Sequence, residues 1–213
     1  MKLKVNEVFY SIQGESSMAG LPCVFIRLTF CNLRCSYCDT EYAFYEGTEF
    51  TFEEILTEIK KYDCKLIEIT GGEPLVQDEV LPFMKMLSDL NYQVMLETGG
   101  SLSIKDVDKR VKIIMDLKCP SSKMSHKNLY ENINYLKLSD EIKFVIGNRE
   151  DYEWSKEILT RNSLTDKCSV LLSNVFDELE PAKLTEWILK DNLNVRFQLQ
   201  MHKYIWSPKQ RGV

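Results

Sequence analysis

The stretch Cys31-Asn32-Leu33-Arg34-Cys35-Ser36-Tyr37-Cys38-Asp39-Thr40 carries three cysteines at the spacing C-x3-C-x2-C, with an aromatic residue before the third. Three thiolates on one short loop can hold three irons of a cubane iron–sulfur cluster. The fourth iron then has no protein ligand on this loop, and an open metal position is where a small molecule can bind and react. The spacing therefore predicts a 4Fe–4S cluster with one open iron, held by Cys31, Cys35 and Cys38.

Zinc and disulfide bonds are the main alternatives for these cysteines. Structural zinc usually takes two pairs of ligands, and the sequence holds no second pair. The other potential ligands stand singly: Cys23, Cys64, Cys119, Cys168, His126 and His202. A disulfide framework is not expected, because the N-terminal residues lack the apolar run of a signal peptide. We therefore favour the cluster over zinc or ordinary thiols.

The composition is typical of a globular domain. The chain has 213 residues, of which 44% are hydrophobic and 28% charged, which suits one domain with a full-sized core. No apolar run approaches the roughly 18 residues of a membrane span, and a net charge of −5 does not indicate a broad nucleic-acid surface. We expect one domain over residues 1–213 in a reducing cytoplasm, with no membrane and no direct nucleic-acid partner.

Strand patterns alternate with helix patterns, which predicts an α/β fold with a largely parallel sheet. The predicted strands cover residues 5–9, 22–30, 65–70, 92–96, 111–116, 141–146, 168–172 and 195–200. The predicted helices cover 51–62, 76–90, 126–136, 150–161 and 181–189, and residues 41–50 are expected to be irregular. Six of the strands suit a parallel arrangement, so we expect an incomplete β/α barrel of about six parallel strands, not a closed eightfold one.

Polar residues and glycines follow several of the predicted strands. Right-handed crossovers bring the C-terminal ends of parallel strands to one face, where α/β folds carry their chemistry. The residues in question are the cysteine loop, Thr70-Gly71-Gly72, Glu97-Thr98, Cys119-Pro120-Ser121, Ser173-Asn174 and His202. We therefore expect one composite site at this face.

Two features before the cysteine loop each allow two interpretations. Residues 11–16 form either a plain turn around Gly14 or a loop whose amide and carboxylate contact a substrate. Arg27 lies in a strand that reads as buried, and an unpaired buried charge is costly. It therefore either pairs with a neighbouring carboxylate or binds an anionic ligand.

Taken together, the motifs resemble those of the radical S-adenosylmethionine (SAM) superfamily, through the cysteine loop and Gly71-Gly72-Glu73-Pro74. Within that superfamily the chain resembles the 7-carboxy-7-deazaguanine synthases. The residues that carry the narrower resemblance are Gln13-Gly14-Glu15, Arg27, the loop 31–40, Thr70 to Pro74, Glu97-Thr98, Pro120-Ser121 and residues 199–203.

The resemblance implies a SAM- and magnesium-dependent carbon–nitrogen lyase of queuosine precursor biosynthesis. Its substrate would be 6-carboxy-5,6,7,8-tetrahydropterin, and a flavodoxin or ferredoxin would reduce the cluster. A 5′-deoxyadenosyl radical made from SAM would remove a hydrogen from the pterin carbon that bears the carboxylate. The ring would then contract with loss of ammonia, and the hydrogen would return from 5′-deoxyadenosine, so that SAM acts as a catalyst. We also expect a homodimer.

The resemblance also implies roles for individual residues. The cluster ligands would be Cys31, Cys35 and Cys38, and the magnesium ligand would be the Thr40 hydroxyl. The SAM contacts would be Tyr37, Cys38, Asp39, Gly72, Glu97, Cys119, Pro120, Ser121 and Ser173. The substrate contacts would be Ile12, Gln13, Gly14, Glu15, Arg27, Thr70, His202 and Val213. The tail of about residues 203–213 would fold back toward the site, although His202 could equally be a surface or packing histidine.

Two other functions remain open from the sequence. An activase that forms a glycyl radical on a partner enzyme would share the cysteine loop and the chain length, but would not need Arg27 and Gln13-Gly14-Glu15 for a pterin. A non-catalytic iron–sulfur electron carrier would leave the glycine and proline turn at residues 71–74 unexplained.

Overall fold

One nine-stranded sheet runs through the computed structural model, which describes residues Met1–Val213. The strands are β1 Lys2–Ile12, β2 Pro22–Leu28, β3 Thr48–Thr51, β4 Leu66–Gly71, β5 Gln93–Thr98, β6 Lys112–Asp116, β7 Glu141–Ile146, β8 Ser169–Asn174 and β9 Arg196–Gln198. The helices are α1 Phe52–Ile59, α2 Val80–Asp89, α3 Arg149–Arg161, α4 Leu164–Lys167, α5 Pro181–Lys190 and α6 His202–Ile205. None of these helices is long and apolar enough to span a membrane.

The strand order is β3-β1-β2-β4-β5-β6-β7-β8-β9. Seven consecutive strands of the sheet, β2-β4-β5-β6-β7-β8-β9, pair in parallel. Strand β1 pairs antiparallel with both β2 and β3. The predicted α/β fold with a mostly parallel sheet is thus confirmed. The parallel run has seven strands where about six were expected, since the short β9 also joins β8 in parallel. β3 and β9 are free edges, so the sheet does not close on itself.

Two segments differ from the sequence prediction. The helix predicted over residues 126–136 is wrong: two 3-10 turns, Ser125–Lys127 and Tyr130–Asn134, occupy this region. The cause is the fully buried Asn132, whose side chain accepts from the Ile104 N–H at 3.1 Å and donates to the carbonyls of Gly100 and Leu102. An asparagine that bonds the backbone of another segment competes with helix formation.

The segment expected to be irregular also contains regular structure. Glu41–Phe44 is a 3-10 turn, and the following Thr48–Thr51 forms the edge strand β3 beside the start of β1. β1 extends over eleven residues, well beyond the predicted 5–9. Helix α1 begins as predicted after the N-cap Thr51, which forms a capping box with Glu54.

Side chains on the two faces of the sheet have different environments. The larger hydrophobic core includes Val24 and Ile26 of β2, and Ile67 and Ile69 of β4. The alternate positions face the other way, and apolar residues at such positions of β1, β2, β4, β5 and β6 form a second, small core. Its members are Phe9, Cys23, Phe25, Leu66, Met95 and Ile114. Because strand side chains alternate between faces, the inner-facing residues later in the same strands are brought to the carboxyl end of the sheet.

Those later residues are polar or charged: Arg27 on β2, Glu68 and Thr70 on β4, Glu97 on β5, Asp116 on β6 and Lys143 on β7. The strand register places Arg27 beside Thr70 and Asp116 beside Lys143. The inner face therefore changes from an apolar floor to a charged upper layer.

Candidate active site

A cavity of about 530 Å³ opens above this charged layer. Phe9, Phe25 and Ile114 of the small core form part of its floor. The predicted site residues that line it are Ile12, Gln13, Gly14, Glu15, Arg27, Cys31, Cys35, Tyr37, Cys38, Asp39, Thr40, Thr70, Gly72, Glu97, His202 and Val213. The structure therefore brings most of the predicted residues to one place.

Four predicted SAM contacts do not line this cavity: Cys119, Pro120, Ser121 and Ser173. Cys119 is fully buried in the larger core. Ser121 donates through its N–H and its hydroxyl to Asp151, so its side chain is turned toward α3. The side chain of Ser173 is buried within the sheet. The loop that holds Cys119, Pro120 and Ser121 contacts the cysteine loop, where the Ser121 carbonyl accepts from the Ser36 hydroxyl at 2.7 Å. That these three residues and Ser173 contact SAM stays a prediction.

The three loop cysteines form one end of the cavity, which we call the thiol end. All three are free thiols of intermediate exposure. Burial raises the pKa of each thiol, and the positive charge of Lys118 acts in the opposite direction on all three. No three Cys, His, Asp or Glu side chains converge closely enough to share a single metal ion. Three soft sulfur donors around one open cavity fit a multinuclear iron–sulfur cluster.

Gly72 allows the end of β4 to pass directly beneath the cysteine loop. A Cβ added there would lie 2.8 Å from the Cys31 Cβ and would also clash with the Phe30 carbonyl, so only glycine fits. The next residue, Glu73, is fully buried and accepts from the Thr98 hydroxyl at 2.9 Å and from the Gly99 N–H at 2.7 Å. Glu73 thus ties the turn after β4 to the end of β5.

A second group of residues that lines the cavity comprises Arg27, Glu15, Glu68, Glu97 and Lys143, which we call the carboxylate end. Arg27 confirms the first of the two interpretations given by the sequence, and the second, binding of an anionic ligand, stays a prediction. Its Nε donates to Glu7 at 2.8 Å, which is the expected ion pair. Its terminal nitrogens make no hydrogen bond to the protein, and they are left for a ligand in the cavity.

Gln13 is held in one orientation by two hydrogen bonds. Its amide nitrogen donates to the Glu68 carboxyl, and its amide oxygen accepts from the Glu15 N–H at 2.5 Å. Burial raises the pKa of Glu68 well above its usual value, and the neighbouring carboxylates of Glu97 and Glu15 add to the effect. This environment favours the protonated form of the Glu68 carboxyl beneath the Gln13 amide.

His202 packs on the loop that follows β1. The Met201 N–H donates to the Gly14 carbonyl at 3.0 Å, and a Cβ added at Gly14 would lie only 2.6 Å from the His202 Nδ1. Burial lowers the pKa of His202, while the charge of Glu15 works against that change. His202 is therefore a half-buried residue of the cavity wall and not a surface histidine.

The last residues of the chain cross the cavity mouth, and residues 208–213 all line it. The Arg211 guanidinium stacks on Tyr42 at 3.7 Å and pairs with Glu46 at 2.9 Å. Lys203 pairs with Asp39 at 2.7 Å. Burial raises the pKa of Asp39, but the charge and hydrogen bond of Lys203, the Thr40 hydroxyl and the charge of His202 together outweigh burial, and the net shift is strongly downward.

Sequence reasoning missed several charged residues of the cavity: Glu68, Asp116, Lys118, Lys143 and Lys203. The available signal was a charge at an inward-facing position of an otherwise apolar strand. That argument was applied to Arg27 in β2, and it would have identified Glu68 in β4 and Lys143 in β7, which are 3% exposed each.

The comparisons with known proteins agree with this geometry. The sequence profile of the Radical SAM superfamily matches residues 25–169. A 7-carboxy-7-deazaguanine synthase of Chlorobaculum tepidum is 46% identical and covers 99% of this chain and 97% of its own. A 7-carboxy-7-deazaguanine synthase of Koribacter versatilis is 42% identical, with 99% and 100% covered.

Among solved structures, QueE from Escherichia coli superimposes with a TM-score of 0.79 at 23% identity over 95% of both chains, and therefore supports the fold. Streptococcus suis SuiB bound to S-adenosylmethionine gives a TM-score of 0.56 at 16% identity over 80% of this chain and 45% of its own. Since the curated relatives match nearly end to end, this chain belongs to the radical SAM superfamily and, within it, to the 7-carboxy-7-deazaguanine synthases.

Proposed function

We propose that this chain converts 6-carboxy-5,6,7,8-tetrahydropterin into 7-carboxy-7-deazaguanine with loss of ammonia. The observation that carries the proposal is the two-ended cavity. Three free thiols stand at one end, while an arginine with unengaged terminal nitrogens and a fixed glutamine amide stand at the other. The full-length match to 7-carboxy-7-deazaguanine synthases supports the same reaction.

Cys31, Cys35 and Cys38 would hold the 4Fe–4S cluster through their sulfur atoms. When bound, the cluster and SAM supply a 5′-deoxyadenosyl radical. Gly72 lies against the cysteine loop and offers its backbone to the methionine part of SAM. Tyr37, Asp39 and Glu97 line the same cavity and complete the proposed SAM contacts.

The carboxylate end would orient the pterin. The two terminal nitrogens of Arg27 can bind the substrate carboxylate in a bidentate manner, because its Nε is already held by Glu7. Gln13 and the Glu15 carboxylate offer the donor and acceptor groups that the edge of a purine-like ring needs. Ile12, Gly14, Thr70, His202 and the terminal Val213 line the remaining wall and are proposed contacts.

Thr40 is the proposed magnesium ligand. Its hydroxyl donates its hydrogen to the Asp39 carboxylate at 2.8 Å, which leaves the oxygen lone pairs available. A neutral oxygen ligand suits magnesium, which keeps several waters and takes oxygen atoms of its substrate as ligands. Magnesium at Thr40 would neutralise part of the charge of the substrate carboxylate.

The finer points of the architecture and surroundings belong to the same proposal. The open parallel sheet would curve as an incomplete β/α barrel, with its gap admitting cofactor and substrate. The enzyme would act as a homodimer in the reducing cytoplasm and receive electrons from a flavodoxin or ferredoxin. It would contact neither nucleic acid nor membrane.

Anaerobic reconstitution with iron, sulfide, SAM, dithionite, magnesium and the carboxypterin tests the function. We expect the deazaguanine product in amounts well above the SAM consumed, and a lower rate when a chelator removes magnesium. 5′-Deoxyadenosine that accumulates only with a protein partner would identify an activase instead. No SAM cleavage under any of these conditions would favour an electron carrier.

A further inference from the structure

Lys143 places a buried ammonium group at the centre of the carboxylate end. Its side chain is 4% exposed and projects from β7, a strand whose residues are all buried. Its Nζ lies 2.7 Å from the Glu15 carboxylate, 2.5 Å from the Glu97 carboxylate and 3.9 Å from that of Asp116. No other cation is within salt-bridge distance of Glu15 or Glu97.

Through Glu15 and Glu97, Lys143 is linked to four separate segments around the cavity. The other Glu15 oxygen accepts from the Gln200 amide at 3.0 Å, which ties the loop after β1 to the segment before α6. The other Glu97 oxygen accepts from the Thr70 hydroxyl at 3.0 Å, at the end of β4. Lys143 thus connects Gln200 and Glu15 on one side with Glu97 and Thr70 on the other.

A buried ion pair is an expensive way to stabilise a protein, because the desolvation penalty offsets much of the Coulomb attraction. Asp116 is paired at 2.8 Å with Lys118, so Lys143 is left with two carboxylates of its own, Glu15 and Glu97, whose burial makes the cluster a poor device for stability alone. Such a group does fix geometry, since an ammonium with three donors can hold two carboxylates at defined positions. Both held carboxylates line the cavity.

We propose that Lys143 is a positioning residue for substrate recognition: it fixes the Glu15 carboxylate, with Glu97 as its anchor, so that Glu15 accepts hydrogen bonds from the N–H edge of the substrate ring. This inference rests on the proposed function. It assigns a role to Lys143, which contacts the proposed substrate ligand Glu15 and not the substrate itself.

The charged groups around this pair define what the loss of Lys143 would do. Glu15, Glu97 and Asp116 face Lys143, while Glu68 and His202 also face Glu15. Burial favours the neutral form of Glu15, but the charges of Lys143 and His202 together with the hydrogen bonds from Lys143 and Gln200 outweigh burial, so that the pKa of Glu15 is lowered. Without Lys143 the Glu15 carboxyl would lose its main opposing charge, so its pKa would rise, and the protonated form would lose its capacity as a double acceptor.

The test measures binding of the carboxypterin to reconstituted, SAM-loaded enzyme without reductant, together with steady-state turnover. We expect Lys143→Met to weaken binding and to raise the Michaelis constant about tenfold to a hundredfold, the range for a lost charged hydrogen bond. Affinity should recover as the pH rises and Glu15 deprotonates. The matched control is Lys137→Met. Lys137 does not line the cavity, and its Nζ lies 3.0 Å from the buried Asp140 carboxylate, so its loss should leave substrate affinity unchanged.

The double variant Lys143→Met/Glu15→Gln completes the test and removes both charges of the pair. If Lys143 acts through Glu15, the double variant binds substrate about as well as Glu15→Gln alone. The comparison of the double variant with Glu15→Gln shows whether Lys143 acts through Glu15 even if Lys143→Met alone does not fold. Unchanged affinity in Lys143→Met, or a further tenfold loss in the double variant, would overturn the inference. A wild-type enzyme that forms no deazaguanine product would instead reject the proposed reaction itself.

Discussion

The thiol end and the carboxylate end of the cavity are built in different ways. The thiol end comes from one contiguous loop of ten residues, and the glycine turn after β4 supports it from below. The carboxylate end is assembled from the loop after β1 and from β2, β4, β5 and β7, and the C-terminal tail crosses its mouth. A contiguous loop of this kind holds its ligands by itself, so the same motif can occur in proteins that act on different substrates. A wall assembled from many strands depends on their register, so we expect this end to be the one that distinguishes substrates.

This difference leads to separable defects. A change at the thiol end should remove the cluster and with it all SAM chemistry. A change at the carboxylate end should weaken substrate binding and leave the cluster and SAM in place. The predictions below run from the largest expected effect to the smallest.

The largest effect is expected for Cys35→Ala. The loss of one of three thiolate ligands should lower the bound iron and the cluster absorbance, and should bring product formation to background, because no other ligand stands nearby. Iron analysis and the visible spectrum after anaerobic reconstitution measure this. Cys64→Ala is the control, since Cys64 is a free cysteine that does not line the cavity. Normal absorbance and turnover in Cys35→Ala would show that Cys35 is not a ligand.

Arg27→Ala should weaken substrate binding at the carboxylate end and leave the thiol end unaffected. The loss of a bidentate charged contact is expected to raise the Michaelis constant for the carboxypterin about thirtyfold to a hundredfold. SAM binding and cluster content should stay at wild-type levels. Steady-state kinetics and a SAM titration separate these effects, with the exposed Arg110→Ala as control. An unchanged Michaelis constant would leave Arg27 as only the ion-pair partner of Glu7.

Glu68→Gln should have the smallest effect on substrate affinity, within about threefold, because a neutral carboxyl and an amide have similar shape and hydrogen-bonding capacity. Its signature is the pH dependence of stability. A carboxyl whose folded pKa is raised stabilises the protein fully below its unfolded pKa, and this contribution is lost as the pH rises through the folded pKa. The melting temperature of Glu68→Gln minus that of the wild type should therefore increase as the pH rises from about 5, which is just above the reference pKa of glutamate.

Glu54→Gln provides the contrast for this measurement. Hydrogen bonds from Thr51 lower the pKa of the exposed Glu54, so its contribution is present above its unfolded pKa and should remain constant between about pH 6 and 9. A difference between Glu68→Gln and the wild type that does not change with pH would mean that the Glu68 carboxyl is ionised in the folded protein.

Local patterns predicted the local features of this molecule. The bounds of β7 agree with the sequence, the Thr51 cap starts α1, and the cysteine spacing marks a loop that does line the cavity. The failures concern contacts between distant segments. The side chain of Asn132 bonds residues near 100–104 and prevents the predicted helix.

The charged residues of the carboxylate end follow the same rule. Glu15 and Lys143 are 128 positions apart in sequence, and nothing within either segment indicates that they form an ion pair. Their pairing follows from the order and register of the strands. A sequence could suggest that a buried lysine needs a partner, but only the sheet topology identifies Glu15 and Glu97.

The most direct test of a cavity with two functional ends is a crystal structure of the reconstituted protein with SAM and the carboxypterin bound. We predict SAM over Cys31, Cys35 and Cys38, and the pterin at the opposite end with its carboxylate on the terminal nitrogens of Arg27 and its ring edge on Gln13 and Glu15. A pterin bound outside the carboxylate end, with Arg27 still paired only to Glu7, would contradict the account.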